Sequence, residues 1–209
     1  MLYGGIGMRE FNMQDFRTRF QEIPKQDDVQ KTNRIAMFGF FAGLLVFFIW
    51  GGNIISDTDL LTKEALKAIR DSTIDKKDFF EYVLAKRLLL FGLGVTLWWW
   101  GLCRLYLYAA LTIGSFMMGA YLYMSLYRYP FTGIFLWFFL FFPHMIFYYV
   151  TMICGIMLKS GMHRSREEKI QYLWKNAWKV ILLVLFYITG IYCESYLNVP
   201  LMQNFLKIF

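Results

Sequence analysis

Two histidines, three cysteines and one pair of adjacent glutamates are the residues of this chain best suited to chemistry, and their spacing keeps them apart. Acid–base, nucleophilic or metal catalysis requires several polar groups converging on one point. His144 lies inside an apolar run and His163 in a basic stretch, so the two imidazoles belong to different surroundings. Cys103, Cys154 and Cys193 are far apart, odd in number and each in or beside an apolar run. They read as small hydrophobic fillers, with no CxxC and no disulfide framework. No HExxH, GxSxG or Gly-rich GK[ST] loop occurs. The sequence therefore offers no catalytic, cofactor-binding or metal-ligating set, and the chain is expected not to be an enzyme.

Two ionisable residues stand out by position. His144 follows Pro143 in the middle of an apolar run, where proline frees a backbone carbonyl about one turn earlier. One reading is a polar hinge or proton-responsive group, the default for an ionisable side chain at membrane depth. The other, which is favoured, is a neutral histidine satisfied at a kinked helix contact. Glu194 is the only carboxylate inside an expected span and falls near its outer end. Snorkelling to the interface explains it, with Arg128 on the same side as an available partner.

The elements that position these groups are membrane helices. Between Leu88 and Leu158 the chain runs 71 residues with only Arg104, Arg128 and His144 as charged or imidazole side chains. A soluble core is broken by polar turns and solvent faces, and nothing here plays that part. As one helix the tract would be about 100 Å long, which crosses a hydrocarbon layer of about 30 Å about three times. The whole chain is 58% hydrophobic, 21% aromatic and 18% charged, outside the range of ordinary globular domains. Its net charge of +7 comes from Lys and Arg in tails and loops flanking the apolar runs. That pattern points to membrane orientation and lipid contact, and it argues against nucleic acid as a partner.

The expected architecture is all-α, a polytopic membrane helical bundle with about five transmembrane helices and short interfacial amphipathic helices. The spans are placed at 35–55, 88–103, 105–127, 131–158 and 180–197, divided at Arg104, at Arg128-Tyr129-Pro130 and at the polar segments. Residues 1–34 form a charged tail without the apolar core of a cleaved signal peptide. Residues 35–209 form one membrane domain. The loop 56–87 carries seven basic and seven acidic residues. In it Leu61, Ala65, Leu66 and Ile69 recur at helical spacing. Asp75 or a neighbour can cap a second helix on which Phe79, Phe80, Val83 and Leu84 share a face.

In 159–179, Ile170, Leu173, Trp174, Ala177 and Trp178 make an interfacial pattern, with Lys169, Lys175 and Lys179 expected to reach headgroups. Gly39 and Gly43 form a small-residue pair in the first span. Ala110, Gly114, Ser115 and Gly119 are the best face for tight helix packing in the third. Pro200 is expected to end the last span, leaving 201–209 as an amphipathic tail. Five spans put the ends on opposite sides. With the N-terminus inside, 13 basic residues are cytoplasmic against 9 outside, so the N-terminus is expected in the cytoplasm and the C-terminus outside.

The pair Glu167-Glu168 invites comparison with intramembrane prenyl-protein proteases, whose motif requires an Arg four residues beyond the second Glu. Tyr172 stands there, and the downstream histidines are missing. A different family fits better. The polar loop ending in Asp78-Phe79-Phe80, the Gly-rich third span, Phe142-Pro143-His144 and the closing Glu194-Ser195-Tyr196 with Pro200 together resemble the stage II sporulation protein M family. The likeness covers most of 35–209. Many members of the broader family follow Pro-His with Gly and then Glu; here Met145 follows and Tyr148 takes the place of that Glu, so no role of the carboxylate carries over. The closing motif also has one extra residue before Pro200.

The resemblance implies a multi-pass scaffold of the cell membrane in endospore-forming Firmicutes. It would act during engulfment with stage II sporulation proteins D and P, peptidoglycan hydrolases held at the septal membrane. Its surfaces for them would be 56–87 and the segment after Leu197. The alternative is a membrane component of an ATP-driven exporter, in which segment 164–179 would dock an ATPase subunit. A headgroup-binding helix explains the same segment without a partner.

Overall fold

The computed structural model describes residues 26–57, 61–158 and 165–208. Its helices are α1 (Gln26–Asp57), α2 (Lys63–Asp71), α3 (Lys76–Trp99), α4 (Cys103–Arg128) and α5 (Thr132–Phe141), followed by α6 (His144–Met157), α7 (Arg166–Lys175), α8 (Ala177–Tyr192) and α9 (Val199–Ile208). A π-helical turn, Cys193–Asn198, joins α8 to α9. No strand occurs among the described residues.

Among the described residues, three stretches are long and apolar enough to cross a bilayer: Asp27–Gly51, Cys103–Arg128 and Ala177–Ile208. The pair α5 and α6 makes a fourth if the two, bent by 50° at Phe142-Pro143, are one span. Their outward faces suit a hydrocarbon solvent. Phe38 is 73% exposed and Phe131 86%, among a series of bare Phe, Leu, Ile and Trp side chains. Apolar patches of that extent are rare on soluble monomers.

Several sequence expectations change. Residues 26–34 belong to α1, so the tail expected over 1–34 is helical from Gln26 onward; residues 1–25 lie outside the described part, as does the basic stretch 159–164. The second span does not reach 103. α3 stops at Trp99, and the chain turns through Gly101, whose φ of 84° is left-handed and suits a residue without Cβ. Arg104 therefore sits in the first turn of α4, with Arg128 as its last residue. Only 88–99 of α3 is free of charge, about 18 Å of helix, and α3 is not one of the three stretches above. The span 131–158 is broken at Pro143, which cannot continue the hydrogen-bond ladder of α5.

Pro200 does not stop the last helix. It is the second residue of α9, and the π-helical turn just before it loosens the ladder where its missing N–H would have donated. The result is helical structure running from Ala177 to Ile208. Elsewhere local signals hold. Asp75 caps α3 by accepting from the Lys77 N–H at 2.7 Å. Thr62 caps α2 through the Ala65 N–H at 3.1 Å. Ser165 and Glu168 form a capping box on α7, which gives Glu168 a structural use.

The tightest helix contact joins α1 to α4. A Cβ on Gly39 would come 2.8 Å from the Thr112 carbonyl oxygen and 3.1 Å from Ser115 Cβ. One on Gly43 would strike the Phe116 carbonyl, and one on Gly119 the Phe40 carbonyl. Partners rise together along both helices, so α1 and α4 run parallel. Glycines here let backbones touch, the usual device where lipid supplies no hydrophobic drive. Gly114 is not part of this face: a Cβ there meets nothing within 4 Å. The spacing of four and five residues mixes two faces of α4, with Ser115 and Gly119 on the contact and Gly114 turned away.

Candidate functional site

Two features arise from this scaffold, a polar cluster inside the bundle and a platform at one end of it. The cluster begins on α3, where Phe79, Phe80, Val83 and Leu84 form the buried stripe and Arg87 continues it by one helical turn. Val83 packs with Tyr148 of α6 and Ile191 of α8, which brings Arg87 against the π-helical turn. There Arg87 meets Glu194 as a fork on a carboxylate, Nη2 to Oε1 at 2.6 Å and Nε to Oε2 at 3.0 Å. The Tyr148 hydroxyl donates to Glu194 Oε2 at 2.6 Å, and the guanidinium lies 4.9 Å from the Tyr148 ring centre. The Tyr187 hydroxyl donates to the Arg87 carbonyl at 2.6 Å. Charge-assisted, bidentate bonds of this kind are the strong ones, and they tie three helices at one depth.

Glu194 therefore does not snorkel, and its partner is Arg87 rather than Arg128. Its side chain is only 20% exposed. A carboxylate drawn that far inside requires a cation, and Arg87 is the one that the buried stripe of α3 delivers.

His144 continues the cluster. Its Nδ1 lies 2.6 Å from Asn198 Nδ2, and that amide also donates to the Leu140 carbonyl at 2.8 Å. Leu140 O is one of the acceptors released where Pro143 ends α5, and the facing amide takes it instead of the imidazole. His144 is 6% exposed and packs edge-on against Tyr148, ring centres 5.7 Å apart. Glu194 and Asn198 are four residues apart, which puts both on one side of the final helical run.

These groups line one end of a cavity of about 1100 Å³ between α3, α4, α6 and α8. Gly114, Leu90, Ile113 and Leu183 belong to its apolar walls.

The platform joins segments far apart in sequence. Leu66 of α2 packs with Leu136 of α5 and with Met202 and Leu206 of α9 in one buried cluster. Gln203 Nε2 donates to the carbonyls of Ile69 at 3.1 Å and Ser72 at 3.0 Å, and the Tyr129 hydroxyl donates to the Leu61 carbonyl at 3.2 Å. Lys63, Glu64, Lys67 and Asp71 remain on the open side of α2. Arg128 and Pro200 flank this assembly. At the opposite end, Lys169 Nζ donates to the Trp99 carbonyl at 2.6 Å and sits 5.4 Å from that indole. Lys169 is therefore tied to α3, and Lys179 is buried. Of the three lysines expected to reach headgroups, Lys175 is the exposed one. Cys103 and Cys193 are buried and Cys154 half-buried, all three as free thiols.

Among the expected residues, Pro143, His144 and Glu194 come together, while Arg104, Gly114, Gly119, Arg128 and Pro200 do not join the cluster. Arg87, Tyr148 and Asn198 were not among the candidates. Each had a signal: Arg87 lies four residues beyond Val83, Tyr148 four beyond His144, and Asn198 four beyond Glu194, so helical periodicity alone puts them on the same faces. No known protein family, characterised protein or solved structure matches the chain.

Proposed function

We propose that this protein is a non-enzymatic membrane scaffold that presents an extracytoplasmic docking platform for peptidoglycan hydrolases, as in the stage II sporulation protein M family it resembles. The observation that carries this reading is the platform itself. Segment 56–87 and the segment after Leu197, the two surfaces expected outside from sequence, are packed against each other through Leu66, Met202, Leu206 and Gln203. A single folded surface with open charged residues suits protein docking better than two loose loops do.

Five crossings go with this reading. α1 and α4 are parallel neighbours, so a chain that crosses in both must return between them, and α3 is the helix available. Its charged first half then lies at the outer interface, with Arg87 drawn inward to Glu194. The excess of basic residues supports an N-terminus in the cytoplasm and a C-terminus outside. Hydrolases at the septal membrane during engulfment, of the class of stage II sporulation proteins D and P, are the partners this arrangement fits.

Charge reversal tests the docking surface. The pair Lys63→Glu and Lys67→Glu lies on the open side of α2 and leaves the buried stripe intact. Co-purification of the hydrolases is expected to fall at least about tenfold, the effect of losing about 1.4 kcal/mol. Unchanged recovery from a folded double variant rejects the assignment.

A further inference from the structure

The cavity holds an inference that is independent of the scaffold reading. Two buried polar atoms without a hydrogen-bond partner belong to residues that line it, Asn198 Oδ1 and Trp98 Nε1. Asn198 is 6% exposed, so its orphan acceptor is deep in the protein. The orientation of its amide is fixed by chemistry. The atom 2.8 Å from the Leu140 carbonyl must be the donor, Nδ2, which leaves Oδ1 as the unsatisfied end. Its second N–H faces His144 Nδ1, which assigns the imidazole proton to Nε2.

An unmet acceptor at the end of an apolar cavity is the complement of a hydroxyl group, which can donate to it. The local charge excludes an ionic head. Arg87, the cation of this end, is already matched by Glu194 in a bidentate pair, so an added phosphate would find no counter-charge. Beyond the polar end the walls are apolar along Leu90, Ile113 and Leu183, and Gly114 leaves part of that space unfilled.

We propose that this cavity binds an uncharged lipid with a free hydroxyl, of the diacylglycerol or long-chain alcohol class. Its hydroxyl donates to Asn198 Oδ1, and its tail occupies the apolar walls. A water molecule at Asn198 with the rest of the cavity taken by bulk lipid tails is the competing occupant, and it has no preference for a hydroxyl.

The test uses the full-length chain in phosphatidylcholine nanodiscs with a diazirine-bearing diacylglycerol as the probe. Strong labelling is expected from this probe, and about tenfold less from the same molecule with its hydroxyl acetylated, the loss of one buried hydrogen bond. A diazirine-bearing phosphatidic acid is expected to label as weakly as the acetylated probe. Gly114→Leu fills the cavity without meeting a neighbour at Cβ and is expected to abolish the preference. Gly92→Leu, whose Cβ also meets nothing within 4 Å but which is not part of the cavity wall, should retain it. Equal labelling by the acetylated probe, stronger labelling by phosphatidic acid, or full labelling of Gly114→Leu overturns the proposal. None of these readouts involves a hydrolase, so failure here leaves the scaffold reading untouched.

Discussion

Replacing Glu194 with Leu is expected to lower the unfolding midpoint of the detergent-solubilised protein by roughly 5–10 °C, the equivalent of about 2–3 kcal/mol for a chain of this size. The cost comes from what remains behind. Arg87 would keep its place on the buried face of α3 with no carboxylate opposite, and Tyr148 would lose its acceptor. Breaking a buried pair commonly costs about 3–5 kcal/mol, and the estimate is reduced because the Arg87 side chain is 32% exposed. The double variant Arg87→Met with Glu194→Leu removes both charges and substitutes side chains of similar volume. Its midpoint is expected to recover most of the loss. A double variant as unstable as Glu194→Leu alone would mean that the two residues are not coupled, and thermal unfolding of the wild type, Arg87→Met, Glu194→Leu and the double variant in one detergent decides it.

The second large effect concerns the contact of α1 with α4. Gly43→Ala and Gly119→Ala each introduce a methyl group into a backbone carbonyl of the facing helix, Phe116 in one case and Phe40 in the other. A carbonyl fixed in a helix cannot swing aside as a side-chain tip can, so the helices must separate along their length. Each change is expected to destabilise by about 1–3 kcal/mol. The two together should cost less than their sum, since the first separation makes room for the second methyl. Gly114→Ala and Gly92→Ala meet nothing within 4 Å and provide the contrast. Both are expected to be neutral or stabilising by up to about 1 kcal/mol, the ordinary helix gain of Ala over Gly. Equal loss at all four glycines would show that helix propensity, and not backbone contact, governs this face.

These two sites also show how far the sequence could be read. Helix class, the placement of α4, the Asp75 cap and the Phe79 to Leu84 stripe were legible because they depend on local periodicity and capping chemistry. Gly119 was legible as a packing residue, but Gly114 was misjudged with it, because spacing of four and five does not say which side a neighbouring helix approaches. Pro200 was read as a stop from its own chemistry, and the π-helical turn that accommodates it has no local signature in Cys193–Asn198.

The Arg87 and Glu194 pair was hidden for a different reason. The partners are 107 residues apart, and Arg87 follows Lys86 at what looked like the end of a polar loop. Its burial depends on α3 being one continuous helix from Lys76, so that the stripe starting at Phe79 extends to residue 87. Long-range pairing of that kind becomes visible only when the packing of α3 against α8 is known. The platform was half legible. Both of its segments were expected outside, yet nothing local indicated that Gln203 would hold α2 by the carbonyls of Ile69 and Ser72.

Photo-crosslinking in intact cells that make the protein tests the proposed scaffold most directly. A benzophenone amino acid replaces Lys67 on the open side of the platform, or Glu167 on α7 at the opposite end of the bundle. The expected result is a covalent adduct with a peptidoglycan hydrolase from position 67 and none from position 167. No hydrolase adduct at 67, together with capture of an ATPase subunit at 167, would contradict the scaffold and favour a role in export.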